Sequence, residues 1–249
     1  MRVWDLGPGR LMVAGAFSDL ALHHHPAVQV TVGRRGPITL TGAGDRRDEC
    51  RVVVVGSGVR HAVRSDSRSA PLTLYLGLQT RQGAALNTLS HNRGRGVWIV
   101  DDGKALGEAT AAALAEHGAH AAVDFLVHEL CGTTDRRPRS VHPQLRQAIE
   151  VVSSRVPSHV DVASVADVVA LSPDYLGRLC KRQTRVSMSA TIRWARLVSA
   201  MGHILEGRSV TDAAHLAGFA DGAHANRVCW EMTGAPPHDL AQAVREHQI

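Results

Sequence analysis

A sequence repeat in the last hundred residues constrains the fold of this chain more than any other feature. The segment DVASVADVVALS at 161–172 matches SVTDAAHLAGFA at 209–220, 48 positions further along. Ala166 aligns with Ala214, and a small residue at such a place lets two helices cross closely. Larger apolar residues align on either side, so we expect the same short helical unit to occur twice.

Each copy of the repeat is followed by a turn and a second helical segment. The turns LSPD and GFADG lead into segments that contain RLC at 178–180 and RVC at 227–229. Asp161 and Ser172 are plausible N-caps, since each stands just before an apolar-periodic run. A helix, a tight turn and a helix with exposed polar residues form the geometry of a helix-turn-helix unit. The sequence therefore predicts two such units.

Apolar periodicity predicts the helices around these units. In front of the first copy the spacing is i, i+4, i+7 and i+11, typical of one buried helix face, at Leu145, Ile149, Val152 and Val156. Between the copies a long stripe predicts one bridging helix that ends near Gly207, with apolar residues Trp194, Leu197, Val198, Met201, Ile204 and Leu205. A stiff bridge can hold two recognition helices in successive major grooves, about 34 Å apart on one face of B-DNA.

These stretches resemble the DNA-binding domain of AraC/XylS-type transcription regulators. The resemblance covers roughly residues 143–245, in DVASVADVVALSPDYLGRLCKRQT, IRWARLVSAMGHILEGRSVTDAAHLAGF and TGAPPHDL. The portion LEGRSVTDAAHLAGF is the most specific. The family usually has phenylalanine where Cys180 and Cys229 stand. The resemblance implies a domain of two helix-turn-helix units that binds double-stranded DNA.

The first recognition helix has a polar face with several charged residues. Arg178 is the candidate for contact with a base edge, most simply guanine O6 and N7. Lys181 and Arg182 are expected to contact phosphates, which adds affinity without sequence information. Asp174 can accept a hydrogen bond from cytosine N4, and Gly177 lies on or near the same face.

The second recognition helix is predicted to present Gly222, Ala223, Asn226 and Arg227 to DNA. Asn226 can bind adenine through both polar atoms of its amide. Gly222 and Ala223 allow close approach to thymine methyl groups. Arg193 and Arg196, on the bridging helix, are expected to contact the DNA backbone.

The first hundred residues have a different pattern, typical of β-structure. Short β-branched or alternating runs are separated by Gly-rich breaks, and the runs are VQVTV (28–32), ITL (38–40), RVVVV (51–55) and LTLYL (72–76). Many short strands with turn signals predict a small barrel or sandwich.

Two histidine motifs in this half resemble those of the cupin barrel. HHHPAVQV supplies His23 and His25, with Gln29 where the family usually has an acid, and GSGVRHAV supplies His61. Alternate residues of a strand point the same way, so His23 and His25 would face the interior together. Three imidazoles suit a divalent transition metal such as Zn, Cu, Fe or Ni. A metal-free effector pocket and a purely structural histidine cluster are the alternatives.

Between the two halves, Ala- and Leu-rich sequence predicts one or two helices that Gly118 could interrupt. A second histidine set shares one helix face there if the helix is continuous: His117, His120, Asp124 and His128. Such a face could bind metal across a dimer, although a solvated face or dimer rim is the commoner use. The family resemblance implies that this segment mediates homodimerisation.

The sequence thus predicts an α+β protein. Its parts are a cupin-like sensor barrel at 1–104, a helical dimerisation segment at 105–131, a linker at 132–142 and a double helix-turn-helix domain at 143–249. The predicted function is sequence-specific DNA binding, modulated by a small molecule or a metal in the barrel. The expected partners are double-stranded DNA, this effector and a second copy of the chain, with RNA polymerase a further candidate.

Two other functions remain open from sequence. One is a cupin metalloenzyme, of dioxygenase or isomerase type, fused to a DNA-binding domain; the leading hypothesis is not an enzyme. The other is a constitutive architectural DNA-binding protein without a pocket. The formal net charge of +5 favours anionic partners. No CxxC pair, signal peptide or long apolar run occurs, so a cytoplasmic protein with no membrane contact is expected.

Overall fold

The four β-branched runs all form strands in the N-terminal half. The computed structural model describes residues 2–15, 20–42, 46–93, 95–132, 141–158 and 160–238. The strands are β1 (Arg2–Asp5), β2 (Arg10–Ala14), β3 (Val28–Gly33), β4 (Ile38–Thr41), β5 (Arg47–Cys50), β6 (Val52–Val55), β7 (Ala62–Arg64), β8 (Pro71–Leu76) and β9 (Val97–Ile99). The sequence patterns had not indicated β1, β2, β5, β7 and β9.

These strands build two sheets that face each other in a barrel-like arrangement. The larger sheet has the order β1-β2-β8-β3-β6-β9, and the smaller has β5-β4-β7. Val53 and Val55 of β6 pack with Ile38 and Leu40 of β4 between the sheets. The side chain of Thr31 of β3 contacts that of Thr73 of β8 in the interior. One inner face of β3 is therefore polar although the whole strand is buried.

Helices cover the opposite face of the larger sheet. They are α1 (Arg81–Asn92) and α2 (Gly103–Gly132), whose Leu86, Val123 and Leu126 join the core formed by β3, β6 and β8. The sequence patterns did not predict α1, because its glycine and asparagine disfavour a helix interior. Gly83 is required there by packing, since a Cβ at this position would lie 2.2 Å from the Gly77 carbonyl oxygen.

The segment predicted as one or two helices is α2, and it is kinked. Gly118 has φ 81° and ψ −175°, which are not helical values. The kink lies between His117 and the other members of the second histidine set, His120, Asp124 and His128. His117 therefore does not share one continuous helix face with the other three, which corrects the expectation from residue spacing. Of the predicted linker, residues 133–140 lie outside the described residues.

The C-terminal half is helical, as predicted. Its helices are α3 (Pro143–Arg155), α4 (Val162–Val168), α5 (Pro173–Thr184), α6 (Met188–Leu205), α7 (Val210–Leu216) and α8 (Gly222–Thr233). The side chains of Asp161 and Ser172 accept backbone N–H bonds at the starts of α4 and α5, so both predicted N-caps are confirmed. Helix α6 is the predicted bridge. Among the helices of the described ranges, none is long and apolar enough to cross a membrane.

The N-cap of α8 offers a direct test of local stability. The Asp221 carboxylate accepts a hydrogen bond from the backbone N–H of His224 at 2.6 Å. We expect Asp221→Ala to lower the free energy of unfolding by about 1 kcal/mol, because one helix-terminal N–H loses its partner. Asp221→Asn keeps an acceptor and is the matched control. Chemical denaturation measures both, and equal stability of the two variants would contradict this role.

Candidate functional site

The two helix-turn-helix units repeat each other down to single hydrogen bonds. The Thr184 hydroxyl donates to the Cys180 carbonyl oxygen at 2.8 Å, and the Thr233 hydroxyl donates to that of Cys229 at the same distance. The residue after each threonine, Arg185 or Gly234, has a left-handed backbone and ends its helix. The internal repeat predicted from sequence is therefore a repeat of structure.

The open face of α5 presents the charged residues predicted for it. Asp174, Arg178, Lys181 and Arg182 are exposed, and Gly177 is half-buried. Arg178 forms an ion pair with Asp174 one turn earlier, where their side chains are 65% and 77% exposed. Such an exposed pair contributes little to stability, so the guanidinium can exchange the carboxylate for a base or a phosphate at small cost.

The open face of α8 is smaller and carries less positive charge. Gly222, Ala223, Asn226 and Arg227 are all exposed there, as predicted. The places equivalent to Lys181 and Arg182 of α5 are occupied by Trp230 and Glu231. Trp230 is 45% exposed. The first unit therefore has the stronger electrostatic attraction for phosphates.

The two arginines of α6 have partners within the protein. The Arg193 guanidinium donates to the Glu231 carboxylate of α8 at 3.0 Å. That of Arg196 donates to the Val160 carbonyl oxygen at 3.4 Å. Both side chains are half-buried, so a phosphate would have to compete with these contacts. Contact of Arg193 and Arg196 with the DNA backbone stays a prediction.

The three histidines of the barrel form one buried cluster. His23, His25 and His61 each offer a ring nitrogen, and these nitrogens lie within 4.8 Å of one another. Main-chain hydrogen bonds of 2.9 Å in both directions join His23 to His61. Burial lowers the pKa of His23 to about 4 and that of His25 to about 3, and it holds the pKa of His61 well below its usual value. All three imidazoles are therefore neutral at physiological pH.

Backbone carbonyls fix the tautomer of each ring. The Nδ1 atoms of His23, His25 and His61 donate to carbonyl oxygens at 2.9, 3.0 and 2.9 Å. A neutral imidazole has one proton, so each Nε2 keeps a free lone pair. The Nε2 of His23 is buried and has no hydrogen-bond partner among the described residues. The cluster thus gathers three Nε2 acceptors, while the N–H donors of the same rings are all used by backbone carbonyls.

Gln29 adds a fourth polar group to this cluster. Its Oε1 lies 3.1 Å from Nε2 of His25 and 3.0 Å from Nε2 of His61, which places acceptors against acceptors. Two arrangements resolve this conflict. The amide can rotate so that its NH2 group donates to both rings and its oxygen accepts from the Thr31 hydroxyl. Alternatively, a cation can lie between the four acceptors.

The donor set fits a divalent transition metal. Ligands about 2.1 Å from such an ion lie about 3 Å apart at right angles and about 3.4 Å apart in a tetrahedron. The Gln29 oxygen lies 3.1 and 3.0 Å from two of the nitrogens, close to these distances. Histidine ligands commonly donate their other ring N–H to a backbone carbonyl, as all three do here. His23, His25, His61 and Gln29 would hold the ion. All four ligands are neutral, so no carboxylate offsets its charge.

A cavity of about 460 Å³ lies next to this cluster, between the barrel and the helical half. Leu11 and Tyr75 line it from the barrel, and Ile149 and Trp194 line it from α3 and α6. The Trp194 ring stacks on His25, with centroids 5.1 Å apart and planes inclined by 30°. The cavity and the histidine cluster therefore share an aromatic wall, which could hold an apolar ligand.

Sequence reasoning missed the roles of Tyr75 and Trp194. Tyr75 lies in an alternating strand and Trp194 in an apolar helix stripe, and both patterns are typical of ordinary core residues. Each contacts His25, with centroid distances of 5.2 and 5.1 Å. These contacts depend on how the two halves pack, and no local pattern in the sequence indicates that packing.

Comparison with known proteins shows that part of the helical half is similar to a known domain family. Residues 165–243 match the family model described as helix-turn-helix domain. No curated protein sequence is significantly similar to the chain.

Solved structures of ToxT from Vibrio cholerae share the fold of the whole chain. An apo variant from strain SCE256 has a TM-score of 0.69 and 11% identity, over 96% of this chain and 98% of that one. ToxT from strain O395 has a TM-score of 0.62 and 11% identity, over 95% and 98%. Wild-type ToxT with a bound unsaturated fatty acid has a TM-score of 0.61 and 12% identity, over 96% of each chain. At such identities the likeness shows a common fold.

Proposed function

We propose that this chain, in which residues 165–243 match a helix-turn-helix domain family and which shares the fold of ToxT, is a sequence-specific DNA-binding transcription regulator of AraC type. The observation that carries the proposal is the exposure of both recognition faces on two equivalent units. One continuous helix of 18 residues, Met188–Leu205, joins these units. Two recognition helices held in this way can enter successive major grooves of one duplex.

A binding selection on random duplex DNA tests this function. We expect the wild-type protein, at a stated salt concentration, to enrich a motif of two blocks about one helical turn apart. Binding that enriches no motif and weakens steeply with salt would contradict sequence-specific recognition and would favour an architectural DNA-binding protein. The predicted contacts of Asp174, Gly177, Lys181, Arg182, Gly222, Ala223, Asn226, Arg227, Arg193 and Arg196 can then be tested on the selected duplex.

The effector has two candidate positions, one inside the barrel and one between the barrel and the helical half. One is the cluster of His23, His25, His61 and Gln29, which would take a divalent transition metal. The other is the cavity beside it, whose apolar lining suits a small molecule with a large apolar part. ToxT with a bound unsaturated fatty acid supports an apolar effector for this chain by analogy of fold. A homodimer through α2 and contact with RNA polymerase stay predictions.

Metal binding at the cluster is testable with Zn²⁺ and untagged protein. We expect one buried site in titration calorimetry, and we expect His25→Ala to abolish it because a ligand is lost. Gln29→Glu should bind Zn²⁺ more tightly than wild type, because a carboxylate compensates the charge of the ion. His120→Ala, at an exposed histidine of α2, is the matched control. Equal zinc binding by wild type and His25→Ala would contradict the site.

Binding in the cavity is testable with an unsaturated fatty acid such as oleic acid. Ala195 lines the cavity from α6, and a larger side chain there would occupy part of it. We expect oleic acid to change the DNA affinity of the wild-type protein and to leave that of Ala195→Trp unchanged. A melting curve of Ala195→Trp verifies that it folds. The same fatty-acid response in both proteins would place the effector elsewhere.

A further inference from the structure

Both helix-turn-helix units contact the barrel through the same part of the repeat. At the end of α5, the Thr184 carbonyl oxygen accepts a hydrogen bond from the Ser57 hydroxyl at 2.7 Å. After α8, the Gly234 carbonyl oxygen accepts one from the Ala21 backbone N–H at 3.0 Å. Thr184 lies one residue before the left-handed turn that ends α5, and Gly234 is the equivalent turn residue after α8. The barrel thus touches the two units at the same helix end, at places one residue apart in the repeat.

The approach at these two places is close. A Cβ on Gly234 would lie 2.4 Å from the Ala21 carbonyl oxygen and 2.9 Å from Nδ1 of His23. A Cβ on Gly58 would lie 2.8 Å from the Arg185 Cβ. Little room therefore remains for either unit to shift while the barrel segments stay in place.

The two barrel segments that make these contacts are the ones that carry the histidines. Ala21 lies two residues before His23, and Ser57 lies four residues before His61. The segments are tied together by the two main-chain bonds between His23 and His61, and by a bond of 2.9 Å from the Gly58 N–H to the His25 carbonyl oxygen. The histidine cluster therefore lies between the two barrel segments that contact the helix-turn-helix units.

The bridging helix reaches the same cluster. Trp194, near the middle of α6, stacks on the His25 ring. The turn after α5, the centre of α6 and the turn after α8 thus surround one group of three histidines. A change in the positions of these rings acts on three elements that set the relative placement of the recognition helices.

We propose that a divalent transition metal at His23, His25 and His61 fixes the two helix-turn-helix units relative to each other, and so raises affinity for DNA sites with two blocks. This inference rests on the proposed function. Both recognition faces are exposed while the units are docked on the barrel, so the docked arrangement leaves DNA access open. An ion that orders this arrangement reduces the conformational entropy lost when both units bind together. A site with a single block gains nothing from it.

The experiment measures dissociation constants of the untagged full-length protein with and without Zn²⁺. One duplex carries both selected blocks, and in the other the second block is scrambled. We expect Zn²⁺ to tighten binding to the two-block duplex by about tenfold, within the usual range of coupling between sites. Binding to the one-block duplex should stay unchanged.

Ser57→Ala separates coupling from metal binding. It removes a docking hydrogen bond but no metal ligand, so we expect zinc affinity to persist and the zinc effect on two-block binding to shrink. Ser67→Ala, at an exposed turn of the barrel, is the matched control and should behave as wild type.

The outcomes are distinguishable. Zinc that binds at the cluster without changing the two-block affinity, or that changes both duplexes equally, overturns the coupling and leaves the DNA-binding function intact. Absence of zinc binding overturns the inference at its first step. Failure of the selection to give any motif contradicts the proposed function itself.

Discussion

Replacing Arg178 by alanine is expected to weaken binding to the selected duplex by about 1–3 kcal/mol, or roughly 5- to 150-fold, and to relax base preference in one block only. Arg178 stands on the exposed face of α5, where it pairs with an exposed carboxylate of its own helix, Asp174. A lost bidentate contact with guanine affects one position of the site, whereas a lost phosphate contact lowers affinity for all sequences alike.

Dissociation constants on the selected duplex and on its single-base variants measure both effects. Arg146→Ala is the matched control, because Arg146 forms the same kind of exposed i,i+4 pair, with Glu150 of α3. If Arg178→Ala weakened binding to every sequence equally, Arg178 would contact the DNA backbone and not a base. If Arg178→Ala kept the affinity and base preference of the wild type, Arg178 would not be part of the DNA interface.

Leu176→Ala is expected to lower the free energy of unfolding by about 2–5 kcal/mol. Leu176 is fully buried in α5, where it packs in the same hydrophobic core as Val165 and Ala166 of α4. Truncation leaves a cavity at the contact that holds the first recognition helix on its scaffold. DNA binding through the first block should weaken with it, since the helix loses its support.

Tyr175→Ala provides the control one residue away. Tyr175 is 39% exposed, and its removal should change the free energy of unfolding by much less. Denaturant titrations of both variants give the comparison. Equal losses for Leu176→Ala and Tyr175→Ala would mean that α5 does not pack on α4 through the face described above.

The helical half could be predicted because its signals are local. The N-caps at Asp161 and Ser172, the small residues Ala166 and Ala214, and the long apolar stripe each specify one feature of a helix or its crossing. The resemblance to AraC/XylS-type regulators and the α+β class are both confirmed. The domain boundaries proposed from sequence stay predictions.

The barrel half could be predicted only in part. Strands rich in valine were evident, whereas Arg2–Asp5, Arg47–Cys50 and Val97–Ile99 are short and gain their structure from pairing with neighbours. Helix α1 was missed because Gly83 lowers helix propensity while packing requires it. Sequence spacing also failed for His117, since the spacing rule assumes a continuous helix and Gly118 breaks it.

The histidine cluster could likewise be predicted only in part from the sequence. Alternation along a strand predicted that His23 and His25 share a side. The structure gathers them with His61 and Gln29, but not on a strand: both precede β3, and His23 forms only an isolated bridge with His61. The stacking of His25 on Trp194 and the docking of both units beside it depend on contacts between residues far apart in the chain. Such contacts have no signature in a single sequence.

A spacing series on the selected two-block duplex tests the central claim most directly. Because α6 is one continuous helix of 18 residues, about 27 Å long, it fixes the spacing of the two recognition helices on either side of it. We predict that inserting about 5 bp between the blocks, half a helical turn, lowers affinity to that of a single block. Inserting a full turn of about 10 bp should not restore it. Affinity that survives the first insertion, or recovers with the second, would contradict recognition of both blocks by one rigid pair of helix-turn-helix units.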